Sequence, residues 1–338
     1  GLRRRAESNC AERRQIRAQH SAGIQFECPP NFCLAKEGDF VLRASKYARS
    51  QYVGLLYILP WIIGLVVFQA YPFIYSLILS FTNKTLSSNT SFVGLANYIR
   101  LFTRDRDFYK VCEVTLKYVL FAVPGRVLFA LIIALLMNTN HRGVHFFRTL
   151  YYLPSIFGGS VAIAIVWRLM FQNNGVVNAI LGTLGIDPIK WLGHPKVALT
   201  TITIIPVWQF GSSMVLFLTS LKNVPQELYE AGKIDGCKPV GMFFRITLPM
   251  ISPILLFNLM MQMISCFQDF SVAFVMTGGG PNRATYLYGI KLYNEAFSNF
   301  NMGYASALSW VMFAAIMVIT LVIQFSSRYW VFYNDGGQ

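Results

Sequence analysis

Six stretches of largely apolar residues recur along the chain, at about 52–80, 114–137, 150–171, 199–221, 250–276 and 305–327. About 20 apolar residues in a helix cross the hydrocarbon core of a bilayer. The pattern therefore predicts an all-α polytopic membrane protein with six transmembrane helices. Stretch 199–221 carries no charge, whereas 114–137 carries Lys117 and Arg126. The first stretch is longer than a span needs and holds Pro60 and Pro72, which predicts a kink or an interfacial turn. Residues 1–50 break the pattern: they hold ten Arg and Lys against five Asp and Glu, and no apolar run long enough for a signal peptide. They read as a basic cytosolic arm, followed by a membrane domain over 51–330 and a cytosolic tail over 331–338.

Composition sharpens this picture. Of 338 residues, 54% are hydrophobic and only 13% charged, and the mean hydropathy is +0.46. Soluble domains carry about 25% charged residues, so disordered tails, disulfide scaffolds and ordinary cytosolic enzymes are excluded. The net charge of +14 could mark a nucleic-acid binder, but a membrane protein with positive inner loops produces the same excess. No nucleic-acid partner is expected. The inner excess rests on the 1–50 arm, so the charge rule alone does not decide the orientation. Cys10, His20, Cys28 and Cys33 lack zinc-type spacing, and His141 and His145 have no partner spacing either, so no metal is expected.

The polar segment 222–249 has legible local chemistry. Pro225 suits a first helical turn, and Glu227 complements the positive end of the helix dipole. Leu228, Ala231 and Ile234 recur every third residue and give a short helix one apolar face. Asp235-Gly236 should stop it, and a second short helix should start near Pro239 and break at Pro249. An amphipathic helix-turn-helix between two spans is either a plain connector or a docking element.

In the fifth stretch Asn258, Gln262, Ser265 and Asp269 fall at i, i+4, i+7 and i+11, a polar stripe on an apolar helix. Polar groups inside a membrane are costly, so such a stripe faces a water-filled path or hydrogen-bonds a neighbouring helix. Trp208, Gln209 and Ser212 combine an aromatic face, an amide and a hydroxyl within one turn, the mixture that sugars require. Arg126, mid-span after Pro124-Gly125, is expected either to pair with Asp269 or to line the path and attract an acidic cargo. Arg168 can snorkel to the span end, and Trp167 and Trp310 read as interface anchors.

Glu230-Ala-Gly-x-x-Asp-Gly-Cys237 followed by Ile246-Thr-Leu-Pro249 resembles the EAA loop of binding-protein-dependent ABC importer permeases, in the sugar branch of the MalF and UgpA type. Arg148-Thr-Leu-Tyr-Tyr-Leu-Pro154, Thr277-Gly-Gly-Gly-Pro281 and Asn301-Met-Gly-Tyr-Ala-Ser-Ala307 also resemble that branch, and the similarity runs over about 52–330. Gly232 and Cys237 stand where the pattern prefers Ala.

The resemblance implies a type I importer permease in the bacterial cytoplasmic (inner) membrane, with both termini cytosolic. Leu228, Tyr229, Glu230, Ala231, Asp235 and Gly236 become coupling residues for a separate ATPase. The implied partners are two ATPase subunits, a second permease subunit (more often different than identical), an external solute-binding protein received on 81–113 and 277–304, a carbohydrate cargo and the bilayer. The cargo path would include Trp208, Gln209, Ser212, Asn258, Gln262, Ser265, Asp269 and Arg126. A uronate oligosaccharide is one expected cargo; glycerol phosphate or another small polar solute is the alternative.

The chain has no GxxxxGK[ST] phosphate loop. No cofactor is therefore expected on it, and ATP and Mg belong to the partner ATPase. Gly278-Gly-Gly280 reads as a turn after the fifth span. An ion-coupled transporter would call for inverted repeats and an intramembrane carboxylate, and only Asp269 offers the latter. An intramembrane enzyme would call for a motif such as HExxH or paired aspartates, and the chain has neither.

Overall fold

Apolar runs become helices in lipid because every backbone N–H and C=O must find its partner within the segment. The computed structural model describes residues 57–85, 90–139 and 143–333. The expectations for the 1–50 arm, the start of the first stretch, His141 and residues 334–338 lie outside the described residues. The chain divides into two compact units, Gly1–Tyr71 and Pro72–Gln338. In the first, residues 57–71 are helical and begin α1 (Tyr57–Ser80).

The second unit holds α2 (Ala96–Ile99), α3 (Arg106–Met137), α4 (Val144–Ile156), α5 (Val161–Met170), α6 (Val176–Thr183), α7 (Pro195–Trp208), α8 (Gly211–Lys222) and α9 (Gln226–Ile234). It continues with α10 (Pro239–Gln268), α11 (Ser271–Thr277), α12 (Tyr288–Tyr293) and α13 (Met302–Tyr329). No strand forms among the described residues beyond an isolated bridge between Thr82 and Phe92. Four helices, α1, α3, α10 and α13, are long and apolar enough to span a membrane. The count is six if the bent pairs α4–α5 and α7–α8 each form one span.

Helix α3 is the axis of the bundle, with α7, α8 and α10 packed on it. Ala122, Ala130 and Ala134 are fully buried along it and let the neighbours approach closely. At Gly211 the approach is closer still, since a Cβ there would strike the Tyr151 carbonyl of α4. Arg148 reaches back from α4 to the Met137 carbonyl (2.6 Å) and closes the end of α3.

Two prolines are accommodated by one device. Wide π turns at Val66–Ala70 and Phe243–Thr247 end two residues before Pro72 and Pro249, with the intervening Tyr71 and Leu248 N–H bonded five residues back. Each proline then falls where its missing N–H and its ring do not interrupt an α-helical ladder. Near Pro72 the first stretch therefore shows a π turn, and Tyr57–Ser80 runs as one helix. The expected break at Pro249 does not occur, and α10 runs through it.

The other departures are real breaks. The third span turns by 101° between α4 and α5, across Phe157-Gly158-Gly159-Ser160 with Gly159 at φ +75°. The fourth bends by 47° at Gln209. The fifth ends at Gln268, and Asp269 has extended backbone (φ −72°, ψ 126°) before α11 begins. The polar stripe therefore stops at Ser265, because Asp269 has left the helix. The Gly278-Gly279 segment is the turn expected after the fifth span, with both residues at positive φ. Trp167 packs on Phe171 and Trp208, and Trp310 donates to Ser76 and packs on Phe73. Arg168 ties α5 to the Val275 carbonyl of α11 at 3.2 Å.

At the start of α3, Asp105 joins three elements. One oxygen caps α3 by accepting the Asp107 N–H (3.0 Å). The other accepts the Tyr304 hydroxyl (2.5 Å) and pairs with Lys291 (2.6 Å), whose side chain is only 4% exposed. Gly303 closes the joint, because a Cβ there would strike the Thr82 carbonyl. Burial pushes the Asp105 carboxyl up, but hydrogen bonds from Lys291 and Tyr304 and the Lys291 charge outweigh it and hold the group below the usual carboxylate range. Its stabilising contribution is therefore full above that range and is lost as pH falls through the lowered value. Asp105→Asn keeps a good helix cap but strands the lysine, a defect worth about 3–5 kcal/mol. We expect a lower melting temperature in detergent and a weaker acid sensitivity than in the parent. Asp105→Leu with Lys291→Met should recover much of the loss.

Candidate functional site

The three helix breaks converge. A cavity of about 400 Å³ is lined by Ser155, Gly158 and Gly159 at the first break, Gln209 at the second, and Gln268 and Asp269 at the third. Arg126 of α3 and Ser265 of α10 complete its polar wall. Irregular backbone at membrane depth is tolerated where it borders a polar cavity, since freed N–H and C=O groups otherwise go unpaired in hydrocarbon. Gln209 lies against Gly158, where a Cβ would come within 3.1 Å of its Oε1. The glycine therefore makes room for the amide.

The charges in this wall are not paired with each other. Asp269 accepts the Tyr118 hydroxyl at 2.7 Å. Arg126 and Asp269 border one cavity, yet the described residues form no ion pair between them. The buried Nε of Arg126 has no hydrogen-bond partner. Of the two arrangements expected of Arg126, pairing with Asp269 is not formed among the described residues, and Arg126 borders the cavity.

Four of the eight expected path residues meet here: Arg126, Gln209, Ser265 and Asp269. The other four do not line it. Gln262 donates to Ser213 of α8 at 3.0 Å, and Asn258, 1% exposed, donates to the Ile254 carbonyl of its own helix. The amide oxygens of both, Asn258 Oδ1 and Gln262 Oε1, are buried without a hydrogen-bond partner. Trp208 packs edge-on to Trp167 at 5.5 Å, and Ser212 is half-buried away from the cavity. Sequence reasoning missed Tyr118, Ser155, Gly158, Gly159 and Gln268. The Pro154 and Gly158-Gly159 tract was the available signal for the first break. A larger groove of about 800 Å³ between α10, α12 and α13 is lined by Phe270, Phe313, Ile316 and Leu321 among others, and has too few polar groups for a hydroxylated ligand.

At the opposite end of α10 from Asp269, α9 projects from the bundle. Pro225 stands immediately before its first residue, and Gly236, at φ +74°, ends it. Its inner face is Tyr229, whose hydroxyl lies 2.9 Å from that of Thr247, and Gly232, where a Cβ would come within 3.0 Å of Ile246. Its outer face exposes Leu228, Glu230, Ala231 and Ile234, the last 86% exposed, and Asp235 and Gly236 continue that surface. Val240 and Phe244 extend the apolar patch. Tyr229, expected among the outward contacts, instead fastens α9 to α10. Gly232 lies on the buried side of α9.

Bundled apolar helices with a broken-helix cavity and a projecting amphipathic helix define a multi-pass membrane transport subunit. The chain belongs to the binding-protein-dependent transport system inner membrane component family, whose model matches residues 114–331. It is 45% identical over 300 residues to the "Probable ABC transporter permease protein YesP" of Bacillus subtilis, covering 88% of this chain and 97% of that one. It is 32% identical over 280 residues to the "Trehalose/maltose transport system permease protein MalF" of Thermococcus litoralis, covering 82% and 94%. A chain of the crystal structure of a bacterial alginate ABC transporter, in complex with an alginate pentasaccharide-bound periplasmic protein, shares the fold. Its TM-score is 0.73 at 21% identity, over 84% of this chain and 96% of that one.

Proposed function

We propose that this chain is one permease subunit of an ATP-driven carbohydrate importer, with the 400 Å³ cavity as its section of the cargo path. The carrying observation is the convergence of three helix breaks on a wall of amide, hydroxyl, carboxylate and guanidinium groups. Such a wall suits a ligand rich in hydroxyls, and relatives named for lactose and trehalose/maltose transport support the same class. A guanidinium bordering the cavity, with its Nε lacking a hydrogen-bond partner, favours a cargo bearing a carboxylate, such as a uronate oligosaccharide.

In this reading α9 is the coupling helix. Leu228, Ala231 and Ile234 seat in an ATPase cleft, with Glu230, Asp235 and Gly236 at its edge, and Tyr229 transmits the movement inward to α10. Two ATPase subunits carry ATP and Mg, and a second, related permease completes the path. A solute-binding protein loads the cargo at the end bearing Asp105 and Lys291, and both termini are cytosolic. A 51–330 membrane domain forms the transporting body between the basic arm and the 331–338 tail.

The test is cargo uptake into proteoliposomes holding the whole complex. ATP-dependent uptake that needs the loaded binding protein is expected. Uptake driven by an ion gradient without ATP would overturn the proposal.

A further inference from the structure

Ser252 lies one turn beyond Pro249 on α10 and is 2% exposed. Its hydroxyl donates to the Pro249 carbonyl (2.6 Å) and accepts the backbone N–H of Phe332 (2.8 Å). Phe332 reaches this point because the chain turns sharply out of α13. Ser327 is buried, and its carbonyl accepts the N–H groups of Trp330 and Val331. The Phe332 side chain then borders a groove of about 540 Å³ together with Pro225 and Leu228 of the α9 entry and Ile246 and Met250 of α10.

Three fastenings therefore meet at one place: Tyr229 to Thr247, Gly232 against Ile246, and Phe332 to Ser252. The first two bind α9 to α10, and the third binds α10 to the segment that follows α13. The far end of α13 is held by the Tyr304–Asp105 bond and by Gly303 N–H to the Lys84 carbonyl. Helix α13 is thus anchored at both ends of the bundle.

We infer that Ser252 and the backbone of Phe332 are positioning residues for energy coupling, making segment 327–333 a strap that moves α13 together with α9. This rests on the reading of α9 as the coupling helix. A displacement of α9 then reaches the Asp105 end by two routes, through α10 and through α13. Ser252 Oγ is the acceptor that holds the Phe332 N–H, and without it the segment after α13 loses this tie to α10.

The test measures cargo imported per ATP hydrolysed in proteoliposomes containing the complete complex and its loaded binding protein. Ser252→Ala should lower that ratio up to about tenfold, the range one lost hydrogen bond gives, with ATP hydrolysis unchanged. Ser252→Thr, which keeps the hydroxyl, should restore it. Phe332→Pro removes only the donor side, outside the bundle, and should reproduce the defect; Phe332→Leu keeps the N–H and should not. An unchanged ratio in Ser252→Ala and Phe332→Pro would overturn the inference and leave the coupling role of α9 standing. Equal loss in the Ala and Thr variants, or a parallel fall of hydrolysis and uptake, would also overturn it. Absence of ATP-dependent uptake in the unmodified complex would instead remove the coupling reading, and the strap with it.

Discussion

Replacing Ile234 by Asp is expected to release the ATPase and stop transport while the protein still accumulates in the membrane. Ile234 is 86% exposed at the end of α9, so the bundle loses no packing when it becomes polar. In the assembled importer the same position would be dry. A carboxylate buried there without a partner costs several kcal/mol, and the loss of a central apolar anchor at an interface costs 2 kcal/mol or more. Since about 1.4 kcal/mol is tenfold, association should weaken by about 100-fold or more. Tyr229→Phe provides the contrast. It loses the bond to Thr247 but no outward contact, so it should keep the ATPase and reduce transport only modestly. Binding of the ATPase to the detergent-solubilised variants distinguishes the two faces of the helix.

The second large effect is expected at Arg126. Its guanidinium borders the cavity, is not ion-paired with Asp269, and has an unpartnered Nε. A hydrogen bond to a charged group contributes about 1.5–3 kcal/mol. Arg126→Gln should therefore cut uptake of a uronate oligosaccharide by about 10- to 100-fold and spare a neutral one of equal length. Equal loss for both cargoes would mean that Arg126 supports the bundle and does not select charge.

Hydropathy alone located the four helices long enough to span and the two bent pairs, because length and apolarity are both written in the chain. The ends of α9 were equally legible: Pro225 and Asp235-Gly236 act through their own backbone restrictions, with no help from tertiary contacts. The breaks were harder to read. A 3.6-residue period continues through Asn258, Gln262, Ser265 and Asp269 whether or not the helix does, and only the extended backbone at Asp269 reveals that it stops. The same period cannot say which polar groups face a cavity and which face another helix. Gln262 found Ser213 because α8 happens to pass there, a fact of packing between residues 49 apart. Pro249 misled in the opposite direction, since a π turn upstream neutralises the break that proline usually imposes.

Coupling of this chain to an ATPase through α9 carries the proposed function. The most direct measurement is purification of the tagged protein in mild detergent from its native membranes, with identification of what accompanies it, for the parent and for Ile234→Asp. The account predicts an ATPase and a second six-span permease with the parent, and retention of the permease but loss of the ATPase in the variant. A parent protein that emerges alone, or a variant that keeps its ATPase, would contradict it.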